Sequence, residues 1–361
     1  MIKGNRGQWS ELYTFVKVLA DGKIYAADKD LNKKENLFYL VLRILRGSNL
    51  EFLRNDKIII QKTDGEIISE LNITELLEIT PKLFVNIKQG NTGERAFAID
   101  YAEELLSKLN ISTLSDDIKE TADIRIVIHD PITHHKPLLG FSIKSYIGSK
   151  PTLFNASKIS NIIYKIHPQL SIKDIDMINS FNTYGKRFKW LQDNNYKLEY
   201  IKMNSDIFSS NLELIDSKMP NIVSEMVISK IFRNKIKISD ISADLAKTNP
   251  CNYKLDLNAS FYEYKIKRLL VDMALGMQAG KSWSGNFSAT GGYIAVKQNG
   301  DLVCYHIYNW NDFQDYLFNH TKIDFPDSKP NRCDFGRVLS AVDVEEEKGT
   351  YIKINFQIRF C

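Results

Sequence analysis

Residues 122–145 read Ala122-Asp-Ile-Arg-Ile-Val-Ile-His-Asp130, then Pro131-Ile-Thr-His-His-Lys-Pro-Leu-Leu139, then Gly140-Phe-Ser-Ile-Lys144-Ser145. The first block is a β-branched run, and the Asp-Pro pair that closes it is a turn signal, so it predicts a strand. Leu138 onward predicts a second strand. Two apolar strands joined by a short polar turn mark the centre of an α/β protein. Asp123 opens one strand and Lys144 sits on the next. Metal-dependent phosphodiester hydrolysis needs that chemistry, because carboxylates hold a hard cation and a lysine orients water and neutralises phosphate. The plain alternative is a hairpin with an ordinary charged residue on each strand. Spacing alone does not choose between them.

Outward from this centre, residues 8–20 predict a helix with Leu12, Phe15, Val16 and Leu19 on one face, ended by Asp21-Gly22. KIYAAD (23–28) predicts a short strand. Residues 37–46, LFYLVLRILR, fit a buried helix or a strand equally. Two β-branched runs around Thr63-Asp64-Gly65 predict a hairpin, as does GGYIAVKQNGDLVCYHIYNW (291–310) around Asn299-Gly300. Residues 95–109 predict a helix, STLSDDIKET (112–121) a polar break, and residues 165–285 a mostly helical region. The expected organisation is an N-terminal region, 1–90, that contributes to the site. A core over 91–361 would carry a helical insertion at about 165–285 and a C-terminal β-hairpin region.

The chain has 361 residues, 43% hydrophobic and 25% charged, which excludes a disordered or fibrous polypeptide. No apolar run approaches the ~20 residues of a bilayer span, and the start lacks a secretory apolar block, so no membrane association is expected. Cys251, Cys304, Cys333 and Cys361 form no close pair, which argues against a zinc site and fits a reducing cytoplasm. A net charge of +4 permits a polyanionic partner without requiring one.

Two tempting motifs fail on physical grounds. Gly276-Met-Gln-Ala-Gly280-Lys281-Ser282 has three residues between its glycines where a phosphate loop needs four, and the segment before it reads as a helix. His134-His135 invites a metal reading, but adjacent histidines seldom converge and no cysteine or second histidine pair completes a set.

GFSIKSYIGSKPTLFNAS (140–157) resembles the catalytic segment of type II restriction endonucleases. With GNRGQWSELY (4–13), the ADIRIVIHD block, GGYIAVKQNGDLVCYHIYN (291–309) and FQDYLFNHTK (313–322), it resembles the HpaII-type restriction endonuclease family. That resemblance implies an α/β, PD-(D/E)XK restriction-endonuclease-like core: a mixed sheet flanked by helices, with additional helical and hairpin elements. It implies a magnesium-dependent type II restriction endonuclease acting on double-stranded DNA at a short sequence. The implied companions are a cognate DNA methyltransferase and a second copy of the chain on DNA.

On this resemblance Lys144 matches the motif lysine, while Ser142 stands in the slot of an acid and removes one expected metal ligand. Some relatives recover a carboxylate about a dozen residues on, but Asn155-Ala156-Ser157-Lys158 contains none. Glu11 is the preferred donor of a second carboxylate, with Glu103 and Glu104 as alternatives. Asp123 is favoured over Asp130 as the first aspartate, since Asp130 has the position of a turn cap. The Ile143 carbonyl is a further candidate ligand. Ser149, Lys150, Thr152 and Asn155 are candidate DNA contacts, although Thr152 or Asn155 equally suits a helix cap. Lys281 is a weaker candidate. The loss of an acid at Ser142 leaves one competing expectation: a DNA-binding module, or a subunit of a heteromeric enzyme whose catalysis is lost or partner-dependent.

Overall fold

The computed structural model describes residues 2–90, 96–115, 122–131, 133–254, 260–326 and 335–361. Arg95, the later part of the polar break, Ile132 and Cys333 lie outside them. The chain divides into two compact units, Met1–Pro151 with Phe287–Tyr316, and Thr152–Asn286 with Leu317–Cys361.

In the first unit, β1 (Lys3–Gly4) leads into helix α1 (Arg6–Asp21). Asn5 and Gln8 form a reciprocal capping box at its start, and Gly22, at φ +66°, ends it with an amide bonded to the Val18 carbonyl. Leu12, Phe15, Val16 and Leu19 are all buried, as their spacing predicts. Then follow β2 (Lys23–Ala27), β3 (Lys33–Arg46), β4 (Leu50–Arg54), β5 (Ile58–Lys62), β6 (Ile67–Leu71), α2 (Ile73–Gln89), β7 (Phe97–Ala98), α3 (Ala102–Lys108), β8 (Ile124–His129) and β9 (Leu138–Ser145). Gly292–Val296 and Leu302–His306, β13 and β14 in chain order, complete a nine-stranded sheet of order β2-β14-β13-β9-β8-β3-β4-β5-β6. Because β2 also pairs with β3, six of these strands close into a ring.

β8 and β9 are antiparallel neighbours, and β13 runs parallel to β9 on its other side, with Ala295 opposite Lys144. Every residue of β13 is buried, as a strand covered on both faces should be. The chain reaches β13 from β9 only after Thr152–Asn286, so this parallel connection runs through the first segment of the second unit. One core joins α1, α2 and α3 to the sheet through Trp9, Leu12, Phe15, Phe52, Leu83 and Leu105.

The second unit contains β10 (Thr152–Phe154), β11 (Asn161–His167), α4 (Ile172–Ser180), α5 (Tyr184–Asp193), β12 (Lys197–Met203), α6 (Asp206–Ile215), α7 (Met219–Arg233), α8 (Ile238–Thr248) and α9 (Phe261–Leu275). Helix α10 (Trp310–His320) crosses the division between the units. β15 (Thr321–Ile323), β16 (Val338–Ser340), β17 (Thr350–Asn355) and β18 (Ile358–Phe360) follow. They build sheets of order β12-β11-β17-β16 and β10-β18-β15.

Both predicted hairpins form, and residues 37–46 belong to the long strand β3. Three expectations change. The helix predicted over 95–109 is confined to Ala102–Lys108, with Phe97–Ala98 paired to β1. The helical region contains strand β12, whose Lys197, Glu199 and Ile201 alternate with Leu198, Tyr200 and Lys202 along β11. Thr152 opens no helix but strand β10, which pairs with β18.

Candidate active site

Asp123 stands just before β8, where its backbone N–H donates to the Phe141 carbonyl at 2.9 Å. That anchor turns its side chain across to β9. Asp123 Oδ2 accepts the Ile143 N–H at 2.6 Å and lies 3.3 Å from the Ser142 hydroxyl. Lys144 is the next residue. The paired register of β8 and β9 ends at Ile124 opposite Phe141. Backbone groups alternate sides along a strand, so the Ile143 carbonyl points to this same unladdered edge. Both bonds to Asp123 use Oδ2, which leaves Oδ1 as its oxygen for another partner.

Helix α1 supplies the facing wall. Gly7, Ser10, Glu11 and Thr14 recur at i, i+3, i+4 and i+7, a narrow polar stripe beside the apolar face. The Ser10 and Ser145 hydroxyls lie 2.8 Å apart and tie the helix to the end of β9. The result is an open cleft of about 280 Å³ whose lining includes Arg6, Ser10, Glu11, Asp123, Ile143, Lys144 and Ser149.

Its electrostatics are those of carboxylates short of counter-charge. Burial pushes the Glu11 carboxyl above its ordinary value, and the Asp123 charge adds to that; Ser115, Arg46 and Lys144 pull it back. Burial raises Asp123 too, offset by the Ile143 N–H, Lys144 and the Ser142 hydroxyl. Two acids that repel each other across a cleft, beside a lysine, form a site that gains from a cation.

The sequence matches the HpaII restriction endonuclease family over residues 5–360. The chain belongs to that family. It is 41% identical to the type II restriction enzyme HpaII of Haemophilus parainfluenzae, over 99% of this chain and 98% of the relative. No solved structure matches significantly. As an HpaII-family protein the chain is a type II restriction endonuclease, a site-specific deoxyribonuclease acting on duplex DNA. A match of this length favours the enzyme over the DNA-binding module that Ser142 had left open.

For an HpaII-family nuclease the donors in the cleft suit a hard divalent cation. Glu11, Asp123 and the Ile143 carbonyl all offer oxygen donors, and burial raises both carboxyls, so a cation that needs their ionised forms would offset that burial. Among the described residues no group of three or more acids, histidines or cysteines is arranged for a metal.

Other sequence candidates fall elsewhere. Asp130 lies at the far end of β8, roughly 23 Å along the strand from Asp123 at ~3.3 Å per residue. It is buried and caps the turn, accepting the Thr133 hydroxyl at 2.9 Å. Asp130 is not part of this cleft. Glu103 and Glu104 are exposed on α3, with Glu104 paired to Lys108. Ser149 lines the cleft and Lys150 follows it, exposed. Thr152, Asn155 and Lys281 belong to the second unit. There Asn211 holds the Lys281 carbonyl, in a loop that follows α9 and is no phosphate cradle. His134 and His135 stay in the turn after β8, the His134 ring 5.9 Å from His129. Arg6, Ser10 and Ser145 were missed. The polar stripe on α1 was the signal for Ser10; Arg6 carries none of its own.

Proposed function

We propose that this HpaII-family enzyme hydrolyses both strands of duplex DNA with Mg²⁺ at the cleft between α1 and β9, on a PD-(D/E)XK nuclease core. The observation that carries the reading is the Asp123–Ile143 hydrogen bond, which holds a carboxylate against the residue before Lys144. The antiparallel β8–β9 pair, with parallel β13 beside the lysine strand, supports the core assignment.

Asp123, Glu11 and the Ile143 carbonyl would hold the ion, which when bound offsets charge building on the attacked phosphate. Lys144 orients the attacking water and neutralises a phosphate oxygen as the bond to the leaving oxygen breaks. Ser142 occupies the place of an acid and donates to Asp123, so it steadies a ligand. Ser149, Lys150, Thr152, Asn155 and Lys281 are proposed DNA contacts. A cognate methyltransferase, pairing of two copies on DNA and a cytoplasmic location complete the proposal. Among the described residues no helix is long and apolar enough to cross a membrane.

Purified protein with plasmid DNA tests this directly. Discrete fragments should appear with Mg²⁺ and vanish with a chelator. Cleavage indifferent to chelation would overturn the metal-dependent reading.

A further inference from the structure

We propose that Arg6 is a phosphate-binding residue of this enzyme, gripping a backbone phosphate of the DNA strand whose scissile bond faces Lys144. The inference rests on the reading of the α1–β9 cleft as the active site, and names a residue and a ligand that reading does not use.

Arg6 opens α1 and lines the cleft with Glu11, Asp123 and Lys144. Among the described residues it pairs with no carboxylate. One terminal nitrogen donates to the Gly90 carbonyl at 3.3 Å, and Nε is buried without a partner. Arg6 is half-buried, and a buried Nε–H without an acceptor is costly, so an anion entering the cleft would recover that cost.

The seat is built for this side chain. Gly148, at φ +86°, has the left-handed conformation that suits glycine, and a Cβ there would collide with the guanidinium. Backbone from the loop after β9 and from the residue that ends α2 thus abuts the guanidinium. No acidic residue lies in the first turn of α1, and the hydroxyls of Ser10, Ser145 and Ser149 share the cleft. The planar guanidinium, with the exposed Ser149 in the same cleft, matches phosphate geometry, while the Ser10 and Ser145 hydroxyls bond each other and the Arg6 carbonyl. The same cleft holds two carboxylates that repel DNA, and Lys144, with Arg46 acting on Glu11, leaves that repulsion only partly answered.

The test is a double-substitution cycle on duplexes carrying a mapped cleavage site. Single phosphates of the cut strand are replaced in turn by neutral methylphosphonates. Cleavage is followed at single turnover with Mg²⁺, and binding with Ca²⁺. Arg6→Ala should slow cleavage or weaken binding roughly ten- to hundredfold, and lower the salt slope of binding by about 1. One methylphosphonate position should cost the wild type as much and cost Arg6→Ala nothing more. Arg6→Lys should restore part of the affinity as a point charge. Should Arg6→Ala not fold, Arg6→Gln takes its place in the cycle. Equal losses at every position in wild type and variant would overturn the phosphate contact. Lys144→Ala, run alongside, separates the two ideas. An inert Lys144→Ala with an uncoupled Arg6 overturns the Arg6 proposal alone, whereas full activity of Lys144→Ala overturns the site itself.

Discussion

Asp123 Oδ2 lies 2.6 Å from the backbone nitrogen of Ile143, so a carboxylate that opens one strand is tethered to its neighbour one residue before Lys144. Hydrogen bonds to an ionised acceptor are among the strong ones. This one fixes the carboxylate without using Oδ1.

Lys144→Ala should cut cleavage by about a hundred- to ten-thousandfold, the range for losing a group that positions the attacking water. Affinity for cognate duplex in Ca²⁺ should stay within a few fold. Parallel cleavage and binding titrations check this, and normal cutting would remove Lys144 from the chemistry.

Asp123→Asn and Glu11→Gln should each cripple cleavage at fixed Mg²⁺, with higher Mg²⁺ recovering part of it. Asp130→Ala should leave the turnover of folded enzyme intact and cost roughly 1–2 kcal/mol of stability, since the turn loses the hydrogen bonds that the Asp130 carboxylate accepts from Thr133. The opposite ranking, measured as kcat and as urea midpoints, would move the catalytic carboxylate to Asp130.

Burial raises both cleft carboxyls, so the folded, metal-free protein binds their protons more tightly than the unfolded chain does. Their contribution to stability therefore falls as pH climbs from the ordinary carboxylate value through the raised one. A bound cation reverses that, because it needs the ionised forms. Cleavage should decline as pH drops through the raised values, and more Mg²⁺ should move this acid limb to lower pH. Rate–pH profiles at two Mg²⁺ concentrations decide it; an immobile limb would show that these carboxyls hold no metal.

Asp272, buried in α9, is raised to about 6 by burial, with Arg268 pulling it back. Holding it ionised costs up to roughly 3 kcal/mol relative to a carboxyl at 3.8. Asp272→Asn should gain stability over the wild type above pH 6 and lose that advantage towards pH 4. Denaturant melts at the two pH values test the sign, and an unchanged difference would show that Asp272 does not titrate.

The proposed pairing of two copies on DNA assigns one copy to each strand, the two related by a two-fold axis. Sedimentation with cognate duplex and Ca²⁺ should therefore give two chains per duplex. One chain per duplex, still making double-strand breaks, would replace the dimer with sequential nicking.

The sequence by itself determined what local rules decide. The Asp64-Gly65 and Asn299-Gly300 turns with their alternating flanks specified two hairpins, and the apolar spacing from Leu12 to Leu19 specified the buried face of α1. The block around Asp123 and Lys144 carried the family. Tertiary structure decided the rest. Residues 37–46 are equally apolar as helix or strand, and only pairing with β2, β4 and β8 makes them β3. Thr152–Phe154 lies extended because β18 offers it a ladder. Asp123 and Asp130 are both acids flanking one strand. Which of them meets Lys144 depends on strand direction and register, which bring residues together across the fold and leave no mark in the spacing of either aspartate.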